Sequence, residues 1–86
     1  MSEQNNPSAT TLSDLPEGTV CRVDAVSLEA ERAARMAGLG LSVGRQVRVV
    51  RAGEPLVVQV YGSRIGLAHA LARHIHVKTE SADTGR

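Results

Sequence analysis

The chain has 86 residues and a net charge of +1, and its hydrophobic fraction of 42% includes a single aromatic residue, Tyr61. A domain of this size has a marginal core with little room for a deep substrate cleft, and its one cysteine excludes an intrachain disulfide and a cysteine-rich metal site. Because the sequence shows neither a signal peptide nor an apolar run long enough to span a membrane, we expect a cytoplasmic protein without membrane insertion.

Both ends are typical of disordered tails. Residues 1–11 and 79–86 are polar and have no periodic apolar pattern, so the folded domain is predicted at residues 12–78.

A first strand is predicted over residues 19–26, after an entry segment with a Pro/Gly turn. Cys21, Val23 and Ala25 alternate there with charged residues, which indicates that these three side chains point inward. Cys21 is therefore interpreted as a small core residue; nothing near it in sequence would lower the pKa of its thiol and make it reactive.

One short helix should follow this strand. Ser27 is suited to cap its N-terminus, and Gly38 to end it. Alanines at the spacing i, i+3, i+4 and i+7 form a narrow apolar stripe that can pack against a sheet. The stripe consists of Ala30, Ala33, Ala34 and Ala37.

The second half of the chain predicts more short strands. They are expected at residues 45–50, 56–61, 64–67 and 74–77, with one helical turn at residues 68–73. Gly62-Ser63 is predicted to form a type II′ hairpin turn. Five short strands with one short helix inserted after the first predict a mainly β fold, a small SH3-like barrel.

Catalytic and metal-binding motifs are weak. No nucleophile–base arrangement or phosphate-binding loop is recognisable, so we expect no enzyme activity. His74 and His76, at i and i+2 on a strand, are candidate metal ligands, but only Glu80 and Asp83 are near enough in sequence to complete a site. We therefore expect no cofactor and two solvated surface histidines. Weak transition-metal binding is the alternative.

The basic residues are unevenly distributed. Residues 44–78 carry six basic residues against one carboxylate, whereas residues 1–43 carry three arginines against six carboxylates. A basic half favours an acidic protein or a nucleic acid, although a merely solvated surface would have the same composition. Strict alternation along the second strand would direct Arg48 away from Arg45 and Arg51, and one aromatic residue makes a poor stacking platform. Strong nucleic-acid binding is therefore not expected.

Over residues 12–77 the order and spacing of several motifs resemble the ferrous iron transport protein A (FeoA) family. Part of the helix and the loop after it, Arg35 to Gly44, is similar to an Arg-Leu-x-x-Leu-Gly-Leu-x-x-Gly stretch of that family. The other similar segments are Leu12-x-x-Leu15-x-x-Gly18, the inward positions Cys21, Val23 and Val26, the hairpin from Glu54-Pro55-Leu56 to Leu67, and Ala72-x-x-Ile75-x-Val77. The barrel also resembles the C-terminal domain of iron-dependent repressors.

This resemblance implies a non-catalytic cytosolic accessory protein that docks on the cytoplasmic, nucleotide-binding region of a ferrous iron transporter. The alternatives are a small basic nucleic-acid-binding barrel and a weak transition-metal-binding or sensing domain. The residues predicted to bind the partner are Arg35, Leu39, Leu41, Arg48 and Arg64. The sequence does not indicate the oligomeric state or whether the protein activates, stabilises or assembles the transporter.

Overall fold

The computed structural model describes residues 10–80, which form five strands, two helices and a 3-10 turn at Leu12–Asp14. The strands are β1 (Val20–Val26), β2 (Gln46–Arg51), β3 (Leu56–Val60), β4 (Ser63–Leu67) and β5 (Ile75–Thr79); the helices are α1 (Ala30–Gly38) and α2 (His69–Ala72). All neighbouring strands are antiparallel, in the order β4-β3-β2-β1-β5. The predicted mainly β fold, with one helix inserted after the first strand, is confirmed.

The core consists mainly of small aliphatic side chains from alternating strand positions. In β3 the inward residues Leu56, Val58 and Val60 are buried, and the residues between them are half-buried. Cys21 and Val23 of β1 are buried as predicted. Ala25 is exposed, contrary to prediction, because a bulge between Val23 and Ala25 shifts the pairing with β5 and reverses the alternation.

A second bulge interrupts the pairing of β2 with β3. Val49 lies opposite Val58, but Arg51 lies opposite Val57, so Val50 is the extra residue. Val57 precedes an inward residue of β3 and therefore faces outward, as does the residue opposite it. The bulge thus brings Arg51 to the outer face of the sheet.

The hairpin between β3 and β4 has a different turn from the one predicted. Val60 pairs with Ser63, so the two loop residues are Tyr61 and Gly62. Both have positive φ, 56° and 80°, which is the pattern of a type I′ turn and not of the predicted type II′ turn at Gly62-Ser63.

The helix α1 lies differently from its predicted packing. Ser27 does not cap it: the N-cap is Glu29, and no side chain caps this end. The alanine stripe is exposed or half-buried, and Met36 is the buried residue of the helix. Because the small alanine side chains contribute little packing, the helix is held against the rest of the domain mainly at its C-terminal end, by Met36 and the loop after it.

That loop ends α1 in a Schellman motif. The Leu41 N–H donates to the Met36 carbonyl at 2.9 Å, and the Gly40 N–H donates to the Ala37 carbonyl at 2.9 Å. Gly40, with φ 99°, is the left-handed residue, so Gly40 performs the role predicted for Gly38. A Cβ on Gly40 would lie 2.8 Å from Val60 Cγ1, which is too close.

The ordered region extends beyond the predicted domain at both ends. The Val77 N–H donates to the Thr10 carbonyl at 3.0 Å, and Thr11 forms a bridge with His76, so this N-terminal segment covers the outer edge of β5. Thr79 belongs to β5, and the Glu80 N–H donates to the Val20 carbonyl. The remaining predicted tail residues, 1–9 and 81–86, lie outside the described residues. Neither helix of the described region has the length and apolar character needed to cross a membrane.

Candidate partner-binding surface

An arginine-rich surface covers the outer side of β2 and β4. Arg48 pairs with Gln59, and Gln59 pairs with Arg64, so the three side chains form one row across three strands. Two strand spacings place the two arginines about 10 Å apart. Arg51 lies on the same side because of the Val50 bulge. We refer to Arg48, Arg51 and Arg64 as the basic face.

Within the described part of the chain, no carboxylate forms an ion pair with the basic face. All three arginines are exposed. Within residues 10–80 the ion pairs are Arg22–Glu80, Arg32–Glu29 and Lys78–Asp24, and none involves the basic face. Such a surface attracts a negatively charged partner over roughly one Debye length, about 8 Å at physiological salt. The opposite orientation that strict alternation predicts for Arg48 and Arg51 is not observed, because the Val50 bulge interrupts the alternation.

A groove of about 700 Å³ adjoins this surface, and both Arg45 and Tyr61 line it together with Arg48. The Arg45 guanidinium lies 4.1 Å from the centroid of the Tyr61 ring, a cation–π contact. The Nε of Arg45 is buried without a hydrogen-bond partner in the described region. Tyr61 itself is 72% exposed. The sequence alone does not indicate Tyr61 as a candidate binding residue, because only the turn geometry places it beside Arg45, 16 positions earlier.

The two loop leucines predicted to bind a partner have different environments. Leu41 is fully buried and packs in the core, so its side chain is not available for docking, and that part of the prediction is wrong. Leu39 is 43% exposed and lines a groove with Tyr61 at the end of the barrel. Leu39 therefore stays a candidate contact residue.

Arg35 lies on another part of the molecule. It lines a groove of about 380 Å³ with Met36 of α1, Leu71 of α2 and His74 in the turn after α2. This groove shares no lining residue with the groove beside Arg48. The structure therefore groups Arg48 with Arg64 but not with Arg35.

Among residues 10–80 the histidines do not form a ligand cluster with carboxylates. His76 Nε2 lies 2.9 Å from Ser27 Oγ in a hydrogen bond, and His74 precedes β5 instead of belonging to it. Hydrogen bonds donated by Gln46 and Arg22 hold the pKa of the Glu80 carboxyl below its ordinary value. No group of three or more His, Cys, Asp or Glu residues with the spacing of a metal site occurs in residues 10–80; Asp83 is outside them.

The buried thiol is protected from reaction. Cys21 is fully buried, and desolvation, followed by the nearby Glu80 charge, raises its pKa to about 11. Because the thiolate is the nucleophilic form, the side chain is inert at neutral pH. The interpretation of Cys21 as a core residue is thus confirmed.

Comparison with known proteins identifies the family of this small basic barrel. The model of the FeoA domain matches residues 10–79, which is most of the chain. The chain belongs to the FeoA family. No match is found among the curated proteins.

Solved FeoA structures share the fold. Stenotrophomonas maltophilia FeoA complexed with zinc, described as a prokaryotic SH3 domain protein, is 38% identical, with a TM-score of 0.68 and coverage of 86% of this chain and 93% of that one. Chlorobium tepidum FeoA is 29% identical, with a TM-score of 0.79 and coverage of 90% and 76%. The FeoA domain of this chain is therefore SH3-like, as predicted.

A longer solved protein contains a similar barrel. T. acidophilum IdeR is 20% identical, with a TM-score of 0.77, and the match covers 90% of this chain but 37% of that protein. At this identity the likeness concerns the fold alone.

Proposed function

We propose that the protein is a non-catalytic, cytoplasmic accessory factor of ferrous iron uptake that binds the cytoplasmic, nucleotide-binding region of a ferrous iron transporter. The observation that carries this proposal is the FeoA-domain match over residues 10–79. The 38% identical S. maltophilia FeoA is described as a candidate activating factor of bacterial ferrous iron transport, which supports the same role here.

The basic face is the proposed contact surface for an acidic area of that region. Its three arginines are exposed and uncompensated within the described residues, so bringing a carboxylate surface against them does not require breaking existing ion pairs. Arginine is suited to this contact because its planar guanidinium forms paired hydrogen bonds with carboxylates. Leu39, exposed at the barrel end, is the proposed apolar part of the interface.

The direct test is binding of the full-length protein to the purified cytoplasmic region of the transporter, measured by calorimetry. We expect Arg48→Glu and Arg64→Glu each to weaken binding about tenfold, which corresponds to ~1.4 kcal/mol. Arg73→Glu is the matched control, since Arg73 is exposed but lies after α2, outside the basic face. Equal losses of affinity in all three variants would show that the effect comes from net charge alone. Absence of binding by the wild-type protein would refute the proposal.

Nucleic-acid binding is the second candidate function. The Val50 bulge supports it, because Arg51 joins Arg48 and Arg64 on one face beside the groove lined by Tyr61. Against it, Tyr61 is the only aromatic residue in the sequence, and one of its faces is occupied by Arg45. Binders of single strands use several stacking platforms. The accessory-protein function is therefore preferred.

A further inference from the structure

The two edges of the sheet differ in how they are covered. The outer edge of β5 is paired with the N-terminal segment through the Thr10–Val77 hydrogen bond and the Thr11–His76 bridge. At the opposite end of the sheet, β4 pairs with β3 and with no other strand of the described region. An unpaired strand edge can accept an additional strand.

The hairpin register determines which backbone groups of β4 are open. Val60 and Ser63 flank the two-residue turn and form a hydrogen-bonded pair, and such pairs alternate along an antiparallel ladder. Ser63, Ile65 and Leu67 therefore bond to β3, whereas Arg64 and Gly66 direct their N–H and C=O groups away from it. Neither Arg64 nor Gly66 has a backbone hydrogen bond to another segment within residues 10–80. The edge thus presents two donors and two acceptors.

Nothing in the described chain shields these groups. Arg64 and Gly66 are both exposed, and a Cβ placed on Gly66 would meet only Pro55, at 4.0 Å. The absence of a side chain at Gly66 lets another backbone approach closely. No proline or bulge blocks the edge of β4 itself.

The side chains beside the edge indicate what kind of strand would fit. On the outer side, Arg64 continues the row with Gln59 and Arg48 and favours acidic neighbours. On the inner side, Ile65 lies opposite the buried Val58 and is only half-buried, so an added apolar residue would complete its cover. The matching strand alternates acidic and apolar residues.

We propose that the open edge of β4 binds an extended acidic–apolar segment of a partner protein by strand addition. Main-chain hydrogen bonds to Arg64 and Gly66 supply affinity, while Arg64 and Ile65 select the alternating side chains. A second copy of this chain fits less well, because pairing two β4 edges would bring two basic faces together. The identity of the partner as the transporter's cytoplasmic region rests on the proposed function.

The experiment measures amide hydrogen exchange by NMR on the full-length protein, with and without a blocked peptide that alternates glutamate and valine over about seven residues. We expect exchange of the Arg64 and Gly66 amides to slow at least tenfold, while the Val77 amide, already bonded to Thr10, is unchanged. The same peptide N-methylated at every residue tests the main-chain contribution, and a lysine–valine peptide tests the charge. Both should leave the exchange rates unaltered.

Variants test the edge independently. Arg64→Glu should weaken peptide binding at least fivefold, whereas Arg73→Glu should not. Gly66→Pro removes one edge donor and should have a similar effect; Arg64→Glu remains informative if Gly66→Pro does not fold.

Three results would overturn the proposal: no slowing of these amides by the peptide, slow exchange already present in the free monomer, or slowing that depends on protein concentration alone. The last would identify a second copy as the occupant. Titration with the transporter's cytoplasmic region separates the two proposals. Binding that leaves both amides unprotected refutes strand addition alone, and protection by the peptide without transporter binding refutes the proposed function alone.

Discussion

Gly40 illustrates how one residue fixes the junction between α1 and the sheet. Its φ of 99° ends the helix, and the absence of a side chain allows the turn to lie against Val60. Both requirements exclude any other residue without strain. Since Leu41, the next residue, is fully buried, the position of Gly40 also determines how the loop enters the core.

We expect Gly40→Ala to lower the free energy of unfolding by ~2–4 kcal/mol, because it combines an unfavourable positive φ with a steric overlap. Gly44→Ala is the control: Gly44 has a similar φ of 92°, but a Cβ there meets nothing within 4 Å. Its cost should be only the conformational part, ~1–2 kcal/mol. Chemical denaturation of both variants measures the difference, and equal costs would contradict the steric argument.

The buried Cys21 thiol makes the stability of the protein decrease with pH in the alkaline range. Its pKa rises from 9.0 to about 11 on folding, so above pH 9 the unfolded chain loses this proton before the folded one does. The contribution of this pKa difference to the free energy of unfolding is fully present below pH 9 and is lost as the pH rises toward 11. We expect the unfolding free energy of the wild type to fall more steeply between these values than that of Cys21→Ala. Parallel pH profiles in denaturant titrations would contradict this expectation.

The histidines yield a prediction about metal. His76 is engaged with Ser27, and no carboxylate joins His74 in a cluster within the described residues. We expect ferrous or zinc ions to bind the tag-free protein weakly or not at all, since a stable site usually needs three or four ligands. Calorimetry at neutral pH is the measurement. Tight one-to-one binding that is lost in His74→Ala or His76→Ala would instead indicate a metal carrier or sensor.

At the scale of elements, the loop after α1 combines a structural and a candidate binding residue two positions apart. In the Schellman motif, Leu41 packs inward beside Met36, while Leu39, the C-cap, remains 43% exposed. The hydrogen-bonding pattern of the helix end therefore separates the roles of two otherwise similar leucines.

We expect Leu41→Ala to cost ~2–5 kcal/mol of stability, as is typical of deleting a fully buried leucine. Leu39→Ala should change stability by less than ~1 kcal/mol, because much of that side chain is already in water. Under the proposed function, Leu39→Ala should nevertheless weaken binding to the transporter's cytoplasmic region. Thermal unfolding and calorimetry measure the two effects; a collapse of the melting temperature in Leu39→Ala would make Leu39 a core residue.

At the scale of the whole molecule, the charge asymmetry of the chain becomes a spatial one. Arg22 and Lys78 are paired with carboxylates, and three of the arginines without an ion pair in the described region, Arg48, Arg51 and Arg64, lie together on the outer side of β2 and β4. This arrangement suits either an acidic protein surface or a phosphate backbone, and salt dependence distinguishes the two.

We expect only weak binding to a labelled single strand or duplex, seen at low ionic strength and lost at physiological salt, because three arginines supply few phosphate contacts. Fluorescence anisotropy across a salt series is the measurement. Binding that persists at physiological salt and falls in Arg48→Glu and Arg64→Glu would favour the nucleic-acid function.

The local features of this protein were predictable from short stretches of its sequence. Alternation places Cys21, Val23 and Val58 in the core, and the order of strands and helices follows from apolar runs and turn residues. Alternation fails where a bulge adds one residue, at Asp24 and Val50, since each bulge is defined by pairing with another strand.

Contacts between distant segments were not predictable for the same reason. Arg48 and Arg64 share a row because Gln59 lies between them in the sheet. Arg45 contacts Tyr61 because the type I′ turn places the Tyr61 ring beside it. Leu41 is buried and Leu39 is exposed because of the hydrogen bonds that end α1. Periodicity describes which side of its own element a residue occupies, but a binding surface depends on which elements become neighbours, and that is set by strand pairing across the sheet.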